Sequence, residues 1–216
     1  MEVTSRERML KNIRHAIISK TDPPFENVDT KSDIFVAHKT PYPDVIFAEA
    51  FSETGGKFIY CENEHELITN INALYSNYQL KHTFCCDNEI KELLTINKIP
   101  FSDDKESLIN SDVSISYCEC LIARFGSVLM SSRQATGRKG FIAAPIHIVL
   151  AYTDQIVMDI KDAFAIMRQR YGEKGASLMT FVTGASRTAD IEKTLVMGAH
   201  GPKEVFVFLT EKEKHG

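Results

Sequence analysis

Apolar residues recur at helical spacing near the amino terminus. Met9, Leu10, Ile13, Ala16 and Ile17 share one face and predict a helix over residues 5–19. Thr21-Asp-Pro-Pro24 stops it, because proline cannot continue a helix and restricts the residue before it. Residues 22–43 hold four of the seven prolines and no periodicity, which predicts an arm rather than part of a sheet. Short apolar runs then alternate with helical patterns. A helix over 44–53 ends at Gly55-Gly56 and leads into a strand at 57–61. Asn63 and Glu66 form a capping-box-like start for a helix with Leu67, Ile68, Ile71, Leu74, Tyr75 and Tyr78 on its apolar face. A strand at 83–86 precedes a helix capped by Asp87 that runs to about Ile96.

Strands are predicted at 113–115, 120–123, 127–130 and 147–152, with a polar loop at 131–140. Ile156, Ile160, Ala163, Phe164 and Met167 predict a helix over 155–171, stopped by Gly172. A strand at 178–182, a helix at 188–197 and a strand at 205–209 complete the chain. Strands separated by helices indicate an α/β domain with a parallel component, and the strand cluster at 113–151 adds antiparallel pieces to give a mixed sheet. The organisation expected is an amino-terminal helix and proline-rich arm over 1–43 followed by one α/β domain over 44–216.

Composition narrows the function classes. The 216 residues can bury a full core without staples. A net charge of −4 argues against nucleic acid, whose binders carry a basic excess. No apolar run reaches the roughly 20 residues needed to cross a bilayer, and the charged start Met1-Glu-Val-Thr-Ser-Arg-Glu-Arg8 is not a secretory signal. A cytoplasmic protein without membrane insertion is expected. The five cysteines, Cys61, Cys85, Cys86, Cys118 and Cys120, lack the spacing of iron–sulfur or structural zinc ligands and read as reduced, buried thiols. No metal site is expected.

The segment Phe181-Val-Thr-Gly-Ala-Ser-Arg-Thr-Ala-Asp-Ile-Glu192 carries the most chemistry. An apolar strand ends, small polar residues follow, and a helix capped by Thr188 is predicted to begin, with Asp190 and Glu192 favouring the positive end of its dipole. Ligands of α/β sheets bind outside the carboxyl ends of strands. Backbone N–H groups around Thr183, Gly184 and Ser186, with Arg187, could hold a carboxylate or phosphate there. The alternative is that Ser186 and Thr188 only cap the helix and Arg187 pairs with a surface acid. In Met197-Gly-Ala-His-Gly-Pro202, His200 is either an acid, base or ligand, or a turn residue bonded to backbone. The loop Ser132-Arg-Gln-Ala-Thr-Gly-Arg-Lys-Gly140 is basic but is not a Walker loop, and Arg138 is its candidate ligand contact. His147, in Pro145-Ile-His-Ile-Val149, fits a core position. Glu119 is a lone carboxylate between two cysteines.

Thr183-Gly-Ala-Ser-Arg-Thr-Ala-Asp-Ile-Glu192, followed by Gly198-Ala-His-Gly-Pro202, resembles the carboxy-terminal signature of the LUD-domain family, the group that includes lactate-utilisation protein C. Arg138 and Pro145 resemble the family's arginine and proline before a strand and the long helix. The resemblance is strongest over about residues 112–210. Ala185 stands where the family has proline. Arg124-Phe125 stand where many members have an acid and a threonine, while Gly126-Ser127 fit the pattern. The resemblance implies a NagB/RpiA/CoA-transferase-like fold with a Rossmann-type core. It also implies a non-redox role beside two partner proteins that oxidise L-lactate to pyruvate and carry the iron–sulfur clusters, with no cofactor held by this chain. A stand-alone enzyme of the CoA-transferase-like or sugar-phosphate type, with Glu119 as the one nearby nucleophile, and a metabolite-sensing module are the alternatives.

Overall fold

The structure, a computed structural model, describes residues 4–18, 40–189 and 195–211. The chain divides into two compact units, Met1–Lys39 and Thr40–Gly216. In the first, helix α1 (Ser5–Ile18) is amphipathic, opened by reciprocal hydrogen bonds between Thr4 and Glu7. Most of the proline-rich arm, residues 19–39, lies outside the described residues.

The second unit begins with α2 (Pro43–Glu53), whose proline stands in the first turn, where its missing N–H costs no hydrogen bond. Then follow β1 (Lys57–Cys61), α3 (Glu64–Tyr78), β2 (Thr83–Cys85) and α4 (Asn88–Ile96). The capping residue Asn63 accepts from the Glu66 N–H, as the capping-box pattern predicts. Next come β3 (Val113–Tyr117), β4 (Cys120–Ile122), β5 (Ser127–Ser131), β6 (Ile146–Tyr152), β7 (Ile156–Val157) and α5 (Ile160–Tyr171). The chain closes with β8 (Met179–Val182), β9 (Arg187–Ala189), β10 (Leu195–Met197) and β11 (Glu204–Thr210).

The strands form two main sheets, so the parallel component and the antiparallel pieces expected from the 113–151 cluster fall in separate sheets. One is fully parallel, in the order β1-β11-β6-β3-β2. Its central strands are apolar on both faces, as covered parallel strands must be. Ile148, Leu150, Phe206 and Phe208 face Leu67, Ile71 and Leu74 of α3 and Ile90 and Leu94 of α4. Val149, Ala151, Val205, Val207 and Leu209 face the other way, toward α2 and the second sheet. That second sheet is mixed, in the order β7-β4-β5-β8. Leu121, Val128 and Met130 from it meet Phe47 and Phe51 of α2 between the sheets. Each of these fully buried phenylalanines contributes about 1.5–3 kcal/mol of apolar burial. The outer face of the mixed sheet, through Cys120, Ile122 and Leu129, packs on Ala163 and Met167 of α5.

Two sequence expectations are corrected. The helix expected from residue 155 starts at Ile160, because Asp159 and Asp162 close a capping box there and Ile156–Val157 instead pair with β4. The helix expected over 188–197 is replaced at both ends by an antiparallel strand pair, in which Arg187, Thr188 and Ala189 pair with Met197, Val196 and Leu195. Thr188 and Val196 are β-branched and suit an extended backbone. Residues 190–194, including Asp190 and Glu192, lie outside the described residues.

Candidate functional site

Strands β3, β6 and β11 run in parallel, so their carboxyl ends meet at one edge of the sheet. A cleft of about 410 Å³ opens there. Tyr117 and Tyr152, the last residues of β3 and β6, lie in it with rings stacked at 5.8 Å and hydroxyls 3.3 Å apart. Leu67, Leu93, Leu150 and Ala151 supply apolar wall, and Glu64, Glu89, Glu92 and Glu211 supply carboxylates. Burial and the Tyr152 hydroxyl push Tyr117 well above the usual phenol range, so it stays a hydrogen-bond donor.

A second recess of about 250 Å³ shares Glu89, Tyr117 and Tyr152 with the first and is also lined by Glu119, Asp154, Gln155, Ile166 and Arg170. Only Cys118 and Glu119 connect β3 to β4. Adjacent residues of an extended link point to opposite sides. Cys118 enters the core between the sheets, and Glu119 faces the recess. The Glu119 carboxylate accepts from Ser131 Oγ at 2.5 Å, from Tyr171 Oη at 2.8 Å and from Arg170. The Arg170 side chain is 44% exposed and that of Glu119 1%. The pair therefore runs from interior to recess. Burial works against the charge of Arg170, but the Glu119 carboxylate outweighs it and holds the guanidinium above its ordinary value. Gln134 and Gln155 bind the Tyr117 and Cys118 carbonyls and fix the backbone of this link.

The signature segments form a different neighbourhood. The Ser186 N–H donates to the Pro202 carbonyl, and the Gly198 N–H donates to the Ser186 carbonyl, both at 2.9 Å. Thr183–Arg187 and Gly198–Pro202 are thereby brought together. Thr183 Oγ1 pairs with Ser127 Oγ at 2.7 Å. Arg187 donates to the Thr54 carbonyl at 2.7 Å, satisfying a carbonyl at the end of α2. Gly184 has φ +77°, and a Cβ there would lie 2.6 Å from the Thr54 oxygen, so only glycine fits against that helix end. Thr188 stands in β9 rather than at a helix start, which removes the capping and dipole argument for this loop. His200 is exposed in the turn before β11. Arg138 donates to Ser177 Oγ at 2.7 Å, before the start of β8, whereas Thr183 follows its end. Six residues separate Ser177 from Thr183, at about 3.3 Å each roughly 20 Å of extended chain, and Arg138 is bonded at the far side of that strand from Arg187. Arg124, the departure noted beside Gly126-Ser127, binds Asp159 at the start of α5.

Tyr117, Tyr152, Arg170 and Tyr171 were not candidates from sequence. The two strand-end tyrosines carry a signal in their position at carboxyl ends. Arg170 and Tyr171 carry none, because the last turn of α5 reaches Glu119 only through packing. Cys85 and Cys120 are buried thiols pushed up to about 12 by desolvation. Among the described residues no group of three or more His, Cys, Asp or Glu could hold a metal ion, and no helix is long and apolar enough to cross a membrane.

Residues 97–210 match the model of the LUD domain, which is more than half of the chain. This chain belongs to the LUD-domain family. Among curated relatives, lactate utilization protein C of Geobacillus thermodenitrificans is 33% identical over 106 residues, 47% of this chain and 44% of that protein. The Bacillus subtilis protein of the same name is 30% identical over 105 residues, again 47% of this chain and 44% of the relative. Both alignments thus span less than half of the relative's length. The crystal structure of a DUF162 family protein from Deinococcus radiodurans matches with a TM-score of 0.60 at 16% identity, over 78% of this chain and 96% of that one. At that identity it speaks to the fold alone. The LUD match takes in Tyr117, Glu119, Tyr152, Arg170 and both signature segments.

Proposed function

We propose that this LUD-family chain is a non-redox subunit or accessory protein of an L-lactate-utilising system, acting beside partners that carry the iron–sulfur clusters. The observation that supports this most is that the family match, residues 97–210, takes in the signature junction and every residue of the strand-end recess except Glu89. The relatives' name supplies the lactate context. A NagB/RpiA/CoA-transferase-like core is the fold reading that goes with it, consistent with a parallel sheet whose carboxyl edge carries a cleft. Within this reading Arg187 and His200 at the signature junction meet a small carboxylate or phosphate.

The test is an anaerobic pull-down of the tagged chain from its lactate-grown host. Cysteine-rich iron–sulfur proteins are expected in the eluate, with lactate oxidation that the isolated chain lacks. A clean eluate, together with normal growth on lactate after deletion of the chain, refutes the reading. A second reading, a stand-alone transferase, is favoured only by the position of Glu119 at the recess. It requires turnover by the isolated chain that Glu119→Gln abolishes.

A further inference from the structure

Strand β8 is a sheet edge without a guard. Elsewhere in the two main sheets, β2 is closed on its outer side by backbone bonds to Ser102, β7 has only two residues, and β1 opens on a lysine, Lys57. Strand β8 ends the mixed sheet, with β5 as its one neighbour among the described residues. From Ser177 to Thr183 the chain carries no charge, proline or glycine. The Ser132 N–H bonds to the Leu178 carbonyl, so Leu178, Thr180 and Val182 turn their backbone groups toward β5. The N–H and C=O groups of Met179 and Phe181 therefore point out from the edge. Their side chains are 37% and 38% exposed, and Phe181 meets Phe164 of α5, itself 41% exposed, edge to face at 6.1 Å. Outward backbone groups beside exposed apolar side chains are a template for another strand.

The sequence of the edge says which strand. Ser177-Leu-Met-Thr-Phe-Val-Thr183 reads alike in both directions by side-chain type. Laid antiparallel on itself about Thr180, it sets Leu178 opposite the partner's Val182, Met179 opposite the partner's Phe181 and Ser177 opposite the partner's Thr183. Met179 and the partner's Phe181 then exchange the backbone bonds that both hold outward. Leu178 and Val182 already pack on the side between the sheets, so apolar side chains meet on both faces of the new pair. We propose that β8 pairs antiparallel with β8 of a second copy across a twofold axis at Thr180, joining the two mixed sheets and bringing the partner's Arg138 to the signature junction. Within one chain Arg138 is bonded to Ser177, on the far side of β8 from Thr183 and Arg187. Antiparallel pairing reverses this, because Thr183 lies opposite the partner's Ser177. Such a contact uses the same surface on both copies and closes on itself. Two edges of this length, with Met179, Phe181 and Phe164 on each, remove on the order of 1,000 Å² from water, the lower limit of a specific interface, which fits a reversible dimer. The pairing stands on the edge alone, and only the use of the partner's Arg138 rests on the junction holding an anion.

Sedimentation velocity of the full chain through the micromolar range reads association and nothing about ligands, so its failure is distinct from a failure of the lactate reading. Wild type shifts from monomer to dimer mass as its concentration rises. Met179→Lys/Phe181→Lys sets lysine opposite lysine at both outer pairs and raises the dimer dissociation constant roughly tenfold or more. Met179→Lys/Phe181→Glu sets lysine opposite glutamate in the same register and restores the dimer. Both side chains face solvent in part, and circular dichroism checks that the variants stay folded. Thr180→Cys is a second measurement that barely alters the edge. Cysteines facing across the axis, with Cα atoms about 4.5 Å apart, form a disulfide-linked dimer on oxidation that wild type does not. A wild-type chain that stays monomeric, a dimer that the double-lysine variant keeps, a lysine–glutamate variant no better than the double-lysine one, or a dimer that Thr180→Cys fails to cross-link each overturns the pairing.

Discussion

His147 lies wholly buried on β6, with Nε2 2.9 Å from Ser116 Oγ and Nδ1 without a partner. Burial alone depresses it from 6.5 to about 3. A histidine held neutral in the folded protein but free to protonate when unfolded makes the unfolded state bind more protons as pH falls. Its contribution is intact above pH 6.5 and is lost progressively as pH drops toward about 3. At 1.36 kcal/mol per pH unit, the loss is about 2 kcal/mol by pH 5 and approaches about 5 kcal/mol near pH 3. A domain stable by about 5–15 kcal/mol therefore feels one side chain strongly in acid. His147→Gln keeps a polar group able to reach Ser116 and cannot protonate. Urea unfolding followed by circular dichroism, at about pH 7.5 and about pH 5, gives the stability of each protein under both conditions. The substitution costs stability at both values, and the informative quantity is the difference between them. Wild type is expected to lose about 2 kcal/mol more than the variant across that interval. Equal losses would refute the buried-neutral assignment.

Asp87 acts in the opposite direction. Desolvation raises it from 3.8 to about 6, so its ionised form burdens the folded state above pH 6 and the burden disappears as pH falls below 3.8. Asp87→Asn is expected to stabilise at neutral pH by roughly 1–2 kcal/mol, the full difference being reduced because the side chain partly meets water, and urea titration at two pH values checks it. Arg170→Gln leaves Glu119 with only Ser131 and Tyr171 as side-chain donors, and should cost about 2 kcal/mol, discounted for the exposure of the arginine. Glu119→Gln/Arg170→Gln should recover part of that loss, and no recovery would mean that charge is not what the pair contributes. Gly184→Ala is expected to cost about 2 kcal/mol or more, since it combines a left-handed backbone with a contact on the rigid Thr54 carbonyl. A chemical-denaturation midpoint equal to wild type would contradict the proposed packing of this loop on α2.

Periodicity was a sound guide wherever one element satisfied itself. The apolar stripe of α3, with its Asn63 cap, and the continuous apolar run of β11 are legible because backbone bonding and one-face burial leave a local trace. The family resemblance at Thr183–Glu192 and Gly198–Pro202 was legible for the same reason, as residue types at fixed spacing. The pairing of 187–189 with 195–197 was not, since Thr188 meets Val196 across a strand pair and helix propensity is too weak to oppose it. The partition into two sheets was also hidden, because β4, β5, β7 and β8 are joined by pairings between distant segments.

The same divide separates the two sites. The α/β alternation, the burial of Cys61, Cys85, Cys118 and Cys120 and the signature loop with its glycines are legible from residue types along the chain, whereas Cys86, read there as buried, is only half-buried. Long-range packing sets the Arg187 bond to the Thr54 carbonyl, the place of Arg138 beside Ser177 before β8, and the recess shared by Tyr117, Tyr152, Glu119 and Arg170. The physical reason is range. Caps, turns and amphipathic faces are set by residues a few positions apart, whereas a cleft at a parallel sheet edge is set by strands whose order along the chain does not reveal their order in space.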